Sequence, residues 1–198
     1  DGMALPAGSE GCVNLLYKDY DSTYQKVDTE GITKVMKNAN AAGADIIVTM
    51  LHWGSEFNDA ISKSQEQIKK LLQENGADVI IGNHPHYVQK IEFDKETGAF
   101  VAYSLGDFFG DATRAGSEYS IILNLEITKD HISGETKITG YSYTPLFNVR
   151  WPDRQLQVMP LEEAMELAAS LQDQPDAARR CGECREGLLR GEDLAQAL

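Results

Sequence analysis

The chain has 198 residues, enough for one domain with a substantial core, and its 42% hydrophobic and 25% charged residues are typical of a globular protein. A formal net charge of −13 at pH 7 argues against a nucleic-acid-binding surface, because such surfaces are basic. The sequence contains no apolar run long enough to cross a bilayer and no charged-then-apolar leader, so we expect any targeting or anchoring segment to lie outside it.

The first 28 residues carry weak signals, and the first clear element is a helix. Residues 1–11 are predicted to be loop and residues 12–17 a short strand or strand end. A helix is predicted over 29–42, because Asp28 or Thr29 can cap it and apolar residues recur at helical spacing before Gly43. Those apolar residues are Ile32, Val35, Met36 and Ala39.

Two apolar strands then flank a second helix. The run 45–51 is rich in β-branched residues and predicts a strand buried on both faces. A helix follows at about 60–75, and a second apolar strand at 78–81. Since Gly-Ala-Asp precedes each strand in the same way, we interpret the region as a βαβ unit with parallel strands.

The second half of the chain changes from alternating helices and strands to β-hairpins. A helix is predicted from Pro160 and a further peripheral helix after Pro175, running to residue 198. We therefore predict a domain over 1–148 and a helical extension over 149–198. The β segments, predicted to form antiparallel hairpins, are 88–93, 100–104, 119–127 and 137–143.

Three histidines follow the two predicted parallel strands. His52 comes after the first strand, and His84 and His86 come after the second. Ligands collect at the carboxyl ends of strands in open α/β sheets, so these side chains are expected to meet at one edge. Pro85 keeps His84 out of the helical region, and in an extended chain the two imidazoles would point the same way. Turn or packing histidines are the alternative, but imidazoles at this spacing suit Zn, Fe, Mn, Ni or Co.

Other side chains near these motifs each have two interpretations. Glu56 and Asp59 either line the pocket or lie on a solvated loop, and Trp53 is either a substrate platform or a packing residue. His131, in a predicted hairpin turn, is expected to be solvated. The loop after Phe108 and Phe109 either meets an anionic substrate through Arg114 or is plain surface; it contains Asp111, Arg114 and Glu118.

The three cysteines do not build a disulfide framework, because their number is odd. Cys181 and Cys184 form a C-x-x-C pair, which leaves a redox module or a metal-binding pair open. A thioredoxin-like site needs the pair at the start of a helix in a βαβ unit, and a structural zinc site needs a second pair, which the sequence lacks.

Three segments together resemble one family. Leu-His-Trp-Gly-Ser-Glu-Phe at 51–57, Gly-Ala-Asp-Val-Ile-Ile-Gly-Asn-His-Pro-His at 76–86 and Tyr-Ser-Leu-Gly-Asp-Phe at 103–108 are similar, in the same order, to motifs of the CapA or poly-gamma-glutamate capsule biosynthesis family. That family is related to the calcineurin-like metallophosphatases. The resemblance covers roughly residues 13 to 145.

The resemblance implies a mixed α/β fold, the carboxyl-terminal half of a four-layer αββα sandwich with a binuclear centre of Mn, Fe or Zn. It implies that His52 is a metal ligand and that His84 and His86 serve one metal each. Asp107 stands where the family usually has Asn, and a carboxylate there can hydrogen-bond a ligand histidine. Asn83, Trp53 and Glu56 are the other candidate residues, behind the metal ligands or lining the pocket.

The family's earlier motifs are absent from the chain. A Gly-Asp, an Asn-Leu-Glu and an Asn-Asn-His should precede His52, but residues 14–16 are Asn-Leu-Leu and residues 38–40, Asn-Ala-Asn, fall within the predicted helix. We therefore expect the missing amino-terminal half of the domain to be a partner. Alone, the chain is expected to bind metal weakly and to be inactive.

The resemblance implies a metallophosphatase-like hydrolase in the biosynthesis of an anionic cell-surface polymer. The alternative is a non-catalytic subunit that binds the polymer or the synthase in a capsule assembly complex. The expected partners are an anionic polymer or small anionic substrate and capsule synthase subunits, with no nucleic acid. The expected location is the cell surface or exterior, with membrane association through a segment outside this chain.

Overall fold

The computed structural model describes residues 5–9, 11–110, 114–151 and 155–171. The described elements form two β-sheets and three helices, which confirms the predicted mixed α/β class. In chain order they are α1 (Thr29–Ala41), β1 (Val48–His52), α2 (Lys63–Glu74), β2 (Val79–Asn83), β3 (Ile91–Phe93), β4 (Phe100–Ala102), β5 (Tyr119–Lys129), β6 (Thr136–Arg150), β7 (Leu156–Pro160) and α3 (Leu161–Leu171).

The first sheet has the strand order β1-β2-β4-β3. β1 pairs with β2 and β2 with β4 in parallel, whereas β3 runs antiparallel to β4. The second sheet is antiparallel and has the order β5-β6-β7. The predicted parallel βαβ unit and the predicted hairpins are both confirmed.

The two faces of the first sheet are buried by different partners. On one face, Ile80 and Val101 pack against α1 and α2 through Met36 and Ile68. On the other, Val79 and Phe100 meet residues of the second sheet, among them Leu123, Ile138 and Tyr141. A third cluster joins α3 to β5, β6 and β7 through Tyr119, Phe147, Met159, Leu161 and Ala164.

Both helices of the first layer begin at side-chain caps. The Asp28 carboxylate accepts a hydrogen bond from the Gly31 amide, so the helix predicted at 29–42 is confirmed to within its last residue. Ser62 and Gln65 form a reciprocal capping box, which starts α2 three residues later than the predicted helix at 60–75.

Two strand predictions for the first half of the chain were wrong. The strand β1 is not buried on both faces: Val48 is 52% and Met50 82% exposed, because the second-sheet residues that cover Val79 of the neighbouring β2 leave this face of β1 open. Residues 12–17 form no strand, and their β pairing is limited to an isolated bridge from Tyr17 to Val27.

The carboxyl-terminal part is only partly described. β6 continues past residue 148 to Arg150 and β7 follows, so the predicted extension at 149–198 begins with strands and becomes helical at Leu161. The division into domain and extension stays a prediction. Cys181, Cys184 and the predicted helix after Pro175 lie outside the described residues. No helix in the described part of the chain is long and apolar enough to cross a membrane.

Candidate functional site

The register of β1 and β2 brings two of the predicted histidines together. His52 is paired with Asn83, the last residue of β2, so His84 follows at the same edge of the sheet. The His52 and His84 ring centroids are 4.2 Å apart, with the planes inclined at 47°. Two imidazoles from neighbouring strands can therefore present nitrogens to one small volume.

The chain bends sharply after β2. His84 has φ of 105° and His86 φ of 61°, values that non-glycine residues rarely adopt. The prediction of an extended segment was therefore wrong, and the His84 and His86 ring centroids lie 6.3 Å apart. Pro85 is buried and its carbonyl accepts a hydrogen bond from the Phe57 amide at 2.8 Å, so contacts outside the segment hold the bend. Such strained backbone costs on the order of 1–3 kcal/mol per residue and concentrates at functional sites.

His86 is held by a carboxylate and an aromatic ring. The Asp107 carboxylate lies 2.8 and 3.0 Å from His86 Nδ1. The Phe57 ring stacks on the imidazole, with centroids 4.8 Å apart and planes at 15°. With Nδ1–H donating to Asp107, Nε2 keeps its lone pair, and it lies 3.8 Å from Glu56 Oε1. Asp107 thus orients a potential ligand histidine, in the position predicted for it.

A buried asparagine anchors Asp107 in turn. Asn148, on β6, is 5% exposed, and its Nδ2 donates to the Asp107 carbonyl at 2.8 Å. Sequence reasoning missed Asn148 and Phe57. Neither stands in a pattern typical of a site, since Asn148 is 41 residues from Asp107 and reaches it only through the pairing of the second sheet.

Trp53 is a packing residue rather than an exposed platform. It is 2% exposed, its ring stacks on Tyr103 at 5.7 Å, and its Nε1 donates to the Tyr103 carbonyl at 2.8 Å. The Trp53 amide also donates to the Asn83 carbonyl at 3.0 Å. These contacts fix the backbone directly after His52.

Burial sets the protonation of the paired histidines. Partial burial lowers the pKa of His52 and of His84 below the ordinary histidine range. Both imidazoles are therefore neutral near pH 7, which is the form that binds a metal ion.

The remaining predicted residues lie at or outside the rim of the histidine site. Glu56, Asp59 and Asn83 are exposed. The guanidinium carbon of Arg114 lies 4.6 Å from the Phe57 ring centroid. His131 is exposed in the turn between β5 and β6, as predicted, and Asp111 is outside the described residues.

Imidazole and carboxylate groups suit a divalent transition metal, but here they form two separate pairs. His52 and His84 form one pair, and His86 with Glu56 forms another. Among the residues that the structure describes, no group of three or more His, Cys, Asp or Glu side chains is placed to hold an ion. Each position thus offers two donors, and a complete coordination sphere would need further ligands.

An open groove leads to the paired histidines. It has a volume of about 1110 Å³ and runs along the exposed side of β1 and the neighbouring α1. Its lining includes Met50, His52 and His84. The histidines are therefore accessible from the edge of the first sheet.

Comparison with known proteins identifies the family. The chain matches the family described as bacterial capsule synthesis protein PGA_cap over residues 8–112. It is 37% identical over 75 residues to the capsule biosynthesis protein CapA of Bacillus anthracis, covering 38% of this chain and 18% of that protein. It is 33% identical over 87 residues to the PGA biosynthesis protein CapA of Bacillus subtilis (strain 168), covering 44% of this chain and 22% of that protein.

The matched region of this chain thus spans about a fifth of the length of these relatives. The family match over residues 8–112 contains the whole histidine arrangement, from His52 to Asp107. Because the family match extends over more than half of the sequence, the chain belongs to the bacterial capsule synthesis protein PGA_cap family.

Proposed function

We propose that this chain acts in the biosynthesis of a bacterial capsule polymer of the poly-gamma-glutamate kind, as part of a metallophosphatase-like hydrolase. Family membership supports the biosynthetic process. The observation that supports the hydrolytic site is the approach of His52 and His84 from two strand ends, with His86 beside them and oriented by Asp107.

In this proposal the histidines hold divalent Mn, Fe or Zn. His52 and His84 would share one ion, and His86 with Glu56 would serve a second. Bound ions of this kind polarise the scissile group and lower the pKa of water, which makes a nucleophile at neutral pH. The residues of this chain supply neutral imidazoles, an oriented His86 and a fixed backbone after His52.

The two donors at each position lead us to propose that the amino-terminal part of the domain supplies the other ligands. The chain alone would then bind metal weakly and would be inactive. The proposed substrate is an anionic polymer or a smaller anionic compound. Since the chain has a net charge of −13, bound cations would be a strong local attraction for such a substrate.

One observation favours a second candidate function. Because no three donors converge among the described residues, the fold could serve as a non-catalytic subunit that binds the polymer or capsule synthase subunits at the cell surface. A hydrolysis assay on a longer protein that carries this chain together with the absent motifs distinguishes the hydrolase from the non-catalytic subunit. Hydrolysis by its Mn²⁺- or Zn²⁺-loaded form, lost in His52→Ala, supports the enzyme, and absence of hydrolysis supports the assembly role.

A metal titration tests the site assignment directly. We expect the 198-residue chain to bind Mn²⁺ or Zn²⁺ in isothermal titration calorimetry, and the double variant His84→Ala/His86→Ala to lose that binding. His131→Ala is the matched control, since it removes an exposed histidine in a distant turn. Equal stoichiometric binding by the wild type and the double variant would contradict the assignment.

A further inference from the structure

We propose that Arg114 is the anion-recognition residue of this site and that its guanidinium binds an oxyanion, a phosphate or carboxylate, of the ligand held beside His86. The inference deepens the proposed function and rests on it for the identity of the ligand. The geometry that carries it is the contact of one ring, Phe57, with both the Arg114 guanidinium and the His86 imidazole.

The Phe57 ring places a cation near the histidine site. The guanidinium carbon of Arg114 lies 4.6 Å from the centroid of the Phe57 ring. The same ring stacks on His86, at 4.8 Å and nearly parallel. Arg114 and His86 therefore share the Phe57 ring as a contact, which brings the guanidinium near the imidazole.

The Phe57 backbone under Arg114 is tied to the histidine bend. Phe57 has φ of 54° and its amide donates to the Pro85 carbonyl at 2.8 Å, inside the His84–His86 bend. The same bend that sets the histidines therefore sets the Phe57 ring. A change in one would move the other.

The backbone of Arg114 is also anchored. Its carbonyl accepts hydrogen bonds from the amide and the hydroxyl of Ser117, at 3.0 and 2.7 Å, and Ser117 is fully buried. The neighbouring Ala115 carbonyl accepts from the Tyr87 hydroxyl at 3.0 Å. The exposed guanidinium thus projects from a fixed turn, which limits the entropy lost when it binds a ligand.

Among the residues that the structure describes, no carboxylate forms an ion pair with the Arg114 guanidinium. The carboxylates near His86 are Glu56, at its Nε2, and Asp107, at its Nδ1. On a chain of net charge −13, a cation that has no ion pair among the described residues gives an approaching anion a local attraction.

The chemistry of the guanidinium defines the class of ligand. When a guanidinium stacks on an aromatic face, its N–H groups stay available at its edge. Those groups match the two oxygens of a carboxylate or a phosphate, which they bind in a bidentate manner. Lysine keeps the charge but lacks the planar fork, so a substitution separates the two contributions.

Anion titrations of the 198-residue chain test the proposal, by calorimetry with sodium phosphate in one arm and sodium glutarate in the other. We expect Arg114→Gln to weaken anion binding about tenfold, because charge-assisted hydrogen bonds are lost. Arg114→Lys should weaken anion binding less. The arm with the tighter binding identifies phosphate or carboxylate as the recognised group. Lys95→Gln, which removes an exposed cation from the β3–β4 turn at the opposite end of the first sheet, should leave both affinities unchanged.

A second variant tests the contact with Phe57 itself. Phe57→Leu keeps Arg114 but removes the flat surface on which it lies, so we expect weaker anion binding with the charge still present. Wild-type protein that binds neither anion, or Arg114→Gln with wild-type affinity for both, would overturn the proposal. Loss of affinity in Lys95→Gln equal to that in Arg114→Gln would overturn it too, since any surface cation would then suffice.

The titrations are run without metal and again with Mn²⁺, so that this proposal and the proposed function can fail separately. Weakening by Arg114→Gln in a chain that binds no Mn²⁺ supports the anion site and contradicts the metal site. Mn²⁺ binding that depends on His84 and His86, with anion affinity insensitive to Arg114, supports the metal site and contradicts the anion site.

Discussion

Trp53 and Tyr103 are joined across the first sheet by a hydrogen bond from the indole Nε1 to the Tyr103 carbonyl, 2.8 Å long, and by stacking of their rings. Trp53 follows His52 at the end of β1, and Tyr103 follows the end of β4. Gly82 of β2 lies between them, directly beneath the hydrogen bond. The absence of a side chain at residue 82 is what allows the contact.

Gly82→Ala should therefore disturb the fold and the site together. The added Cβ would overlap the Trp53 indole nitrogen and the Tyr103 carbonyl, and the latter is backbone that cannot move aside. We expect the free energy of unfolding in urea to fall by about 1–3 kcal/mol, as in other overpacked cores. Gly11→Ala is the control, because a Cβ there meets nothing within 4 Å. Equal stability of the two variants would show that residue 82 tolerates a side chain.

The two tryptophans allow a matched test of the Trp53 contact. Trp53→Phe removes a buried hydrogen bond and part of a fully packed ring, so we expect a loss of about 2 kcal/mol in unfolding free energy. Trp151→Phe removes the other indole, which is only half-buried and whose Nε1 donates to Gln157 Oε1 at 3.1 Å in an exposed hydrogen bond, and should cost less than about 1 kcal/mol. Circular dichroism in urea measures both. A larger loss in Trp151→Phe would be inconsistent with Trp53 as the anchor.

The sequence predicted the elements that depend on local periodicity. Helix α1, helix α2 and the parallel pair β1 and β2 follow from apolar spacing, caps and the repeated Gly-Ala-Asp before each strand. The approach of His52 and His84 follows from that pairing, since the carboxyl ends of parallel strands meet at one edge.

The features that sequence reasoning missed depend on contacts between distant segments. An apolar run such as β1 has the same pattern whether one or both of its faces are covered, so the exposure of Val48 and Met50 was not predictable. The positive φ of His84 and His86 depends on the buried Pro85 and its bond from Phe57, which no local pattern encodes. Asn148 lies on the part of β6 that extends beyond the predicted strand at 137–143, so its contact with Asp107 was not predictable.

The hydrogen bond from His86 to Asp107 predicts graded effects on metal affinity. Asp107→Ala removes the acceptor that fixes the imidazole, and we expect metal affinity in calorimetry to fall about 10–100-fold. Asp107→Asn keeps an acceptor oxygen at the same position, so its metal affinity should fall less. Asp59→Ala, which removes an exposed carboxylate from the loop after β1, is the control. If Asp107→Asn and Asp107→Ala behave like Asp59→Ala, the ring orientation does not matter for the metal.

A polar cluster around Lys69 predicts how the stability of the protein changes in acid. Lys69 lies 2.7 Å from a Glu66 oxygen and 3.0 Å from a Glu92 oxygen, and the Tyr103 hydroxyl donates to Glu66 at 2.8 Å. The hydrogen bond from Lys69 lowers the pKa of Glu66. Burial opposes ionisation of Glu92, but hydrogen bonds from Lys90 and Lys69 outweigh it and lower the pKa of that carboxyl too.

Because both carboxyl pKa values are lower in the folded protein than the ordinary 4.5, the unfolded chain takes up more protons below that pH. The stabilisation is therefore complete above pH 4.5 and is lost as the pH falls through the folded pKa values. We expect Lys69→Met to reduce the unfolding free energy by about 1 kcal/mol at pH 7, discounted for the partial exposure of both carboxylates, and by less near pH 4. Urea unfolding at the two pH values measures the change.

Lys70→Met is the matched control for this experiment, since Lys70 also faces a glutamate on α2 but at 3.8 Å and with both side chains well exposed. Its effect should be near zero at both pH values, because exposed pairs contribute little. The decisive quantity is the difference between the two variants. If that difference stays constant from pH 7 to pH 4, the acid response of the protein does not come from Glu66 and Glu92. Lys69 then contributes to stability through the contact of its Nζ with the Tyr103 ring, 5.5 Å from the ring centroid.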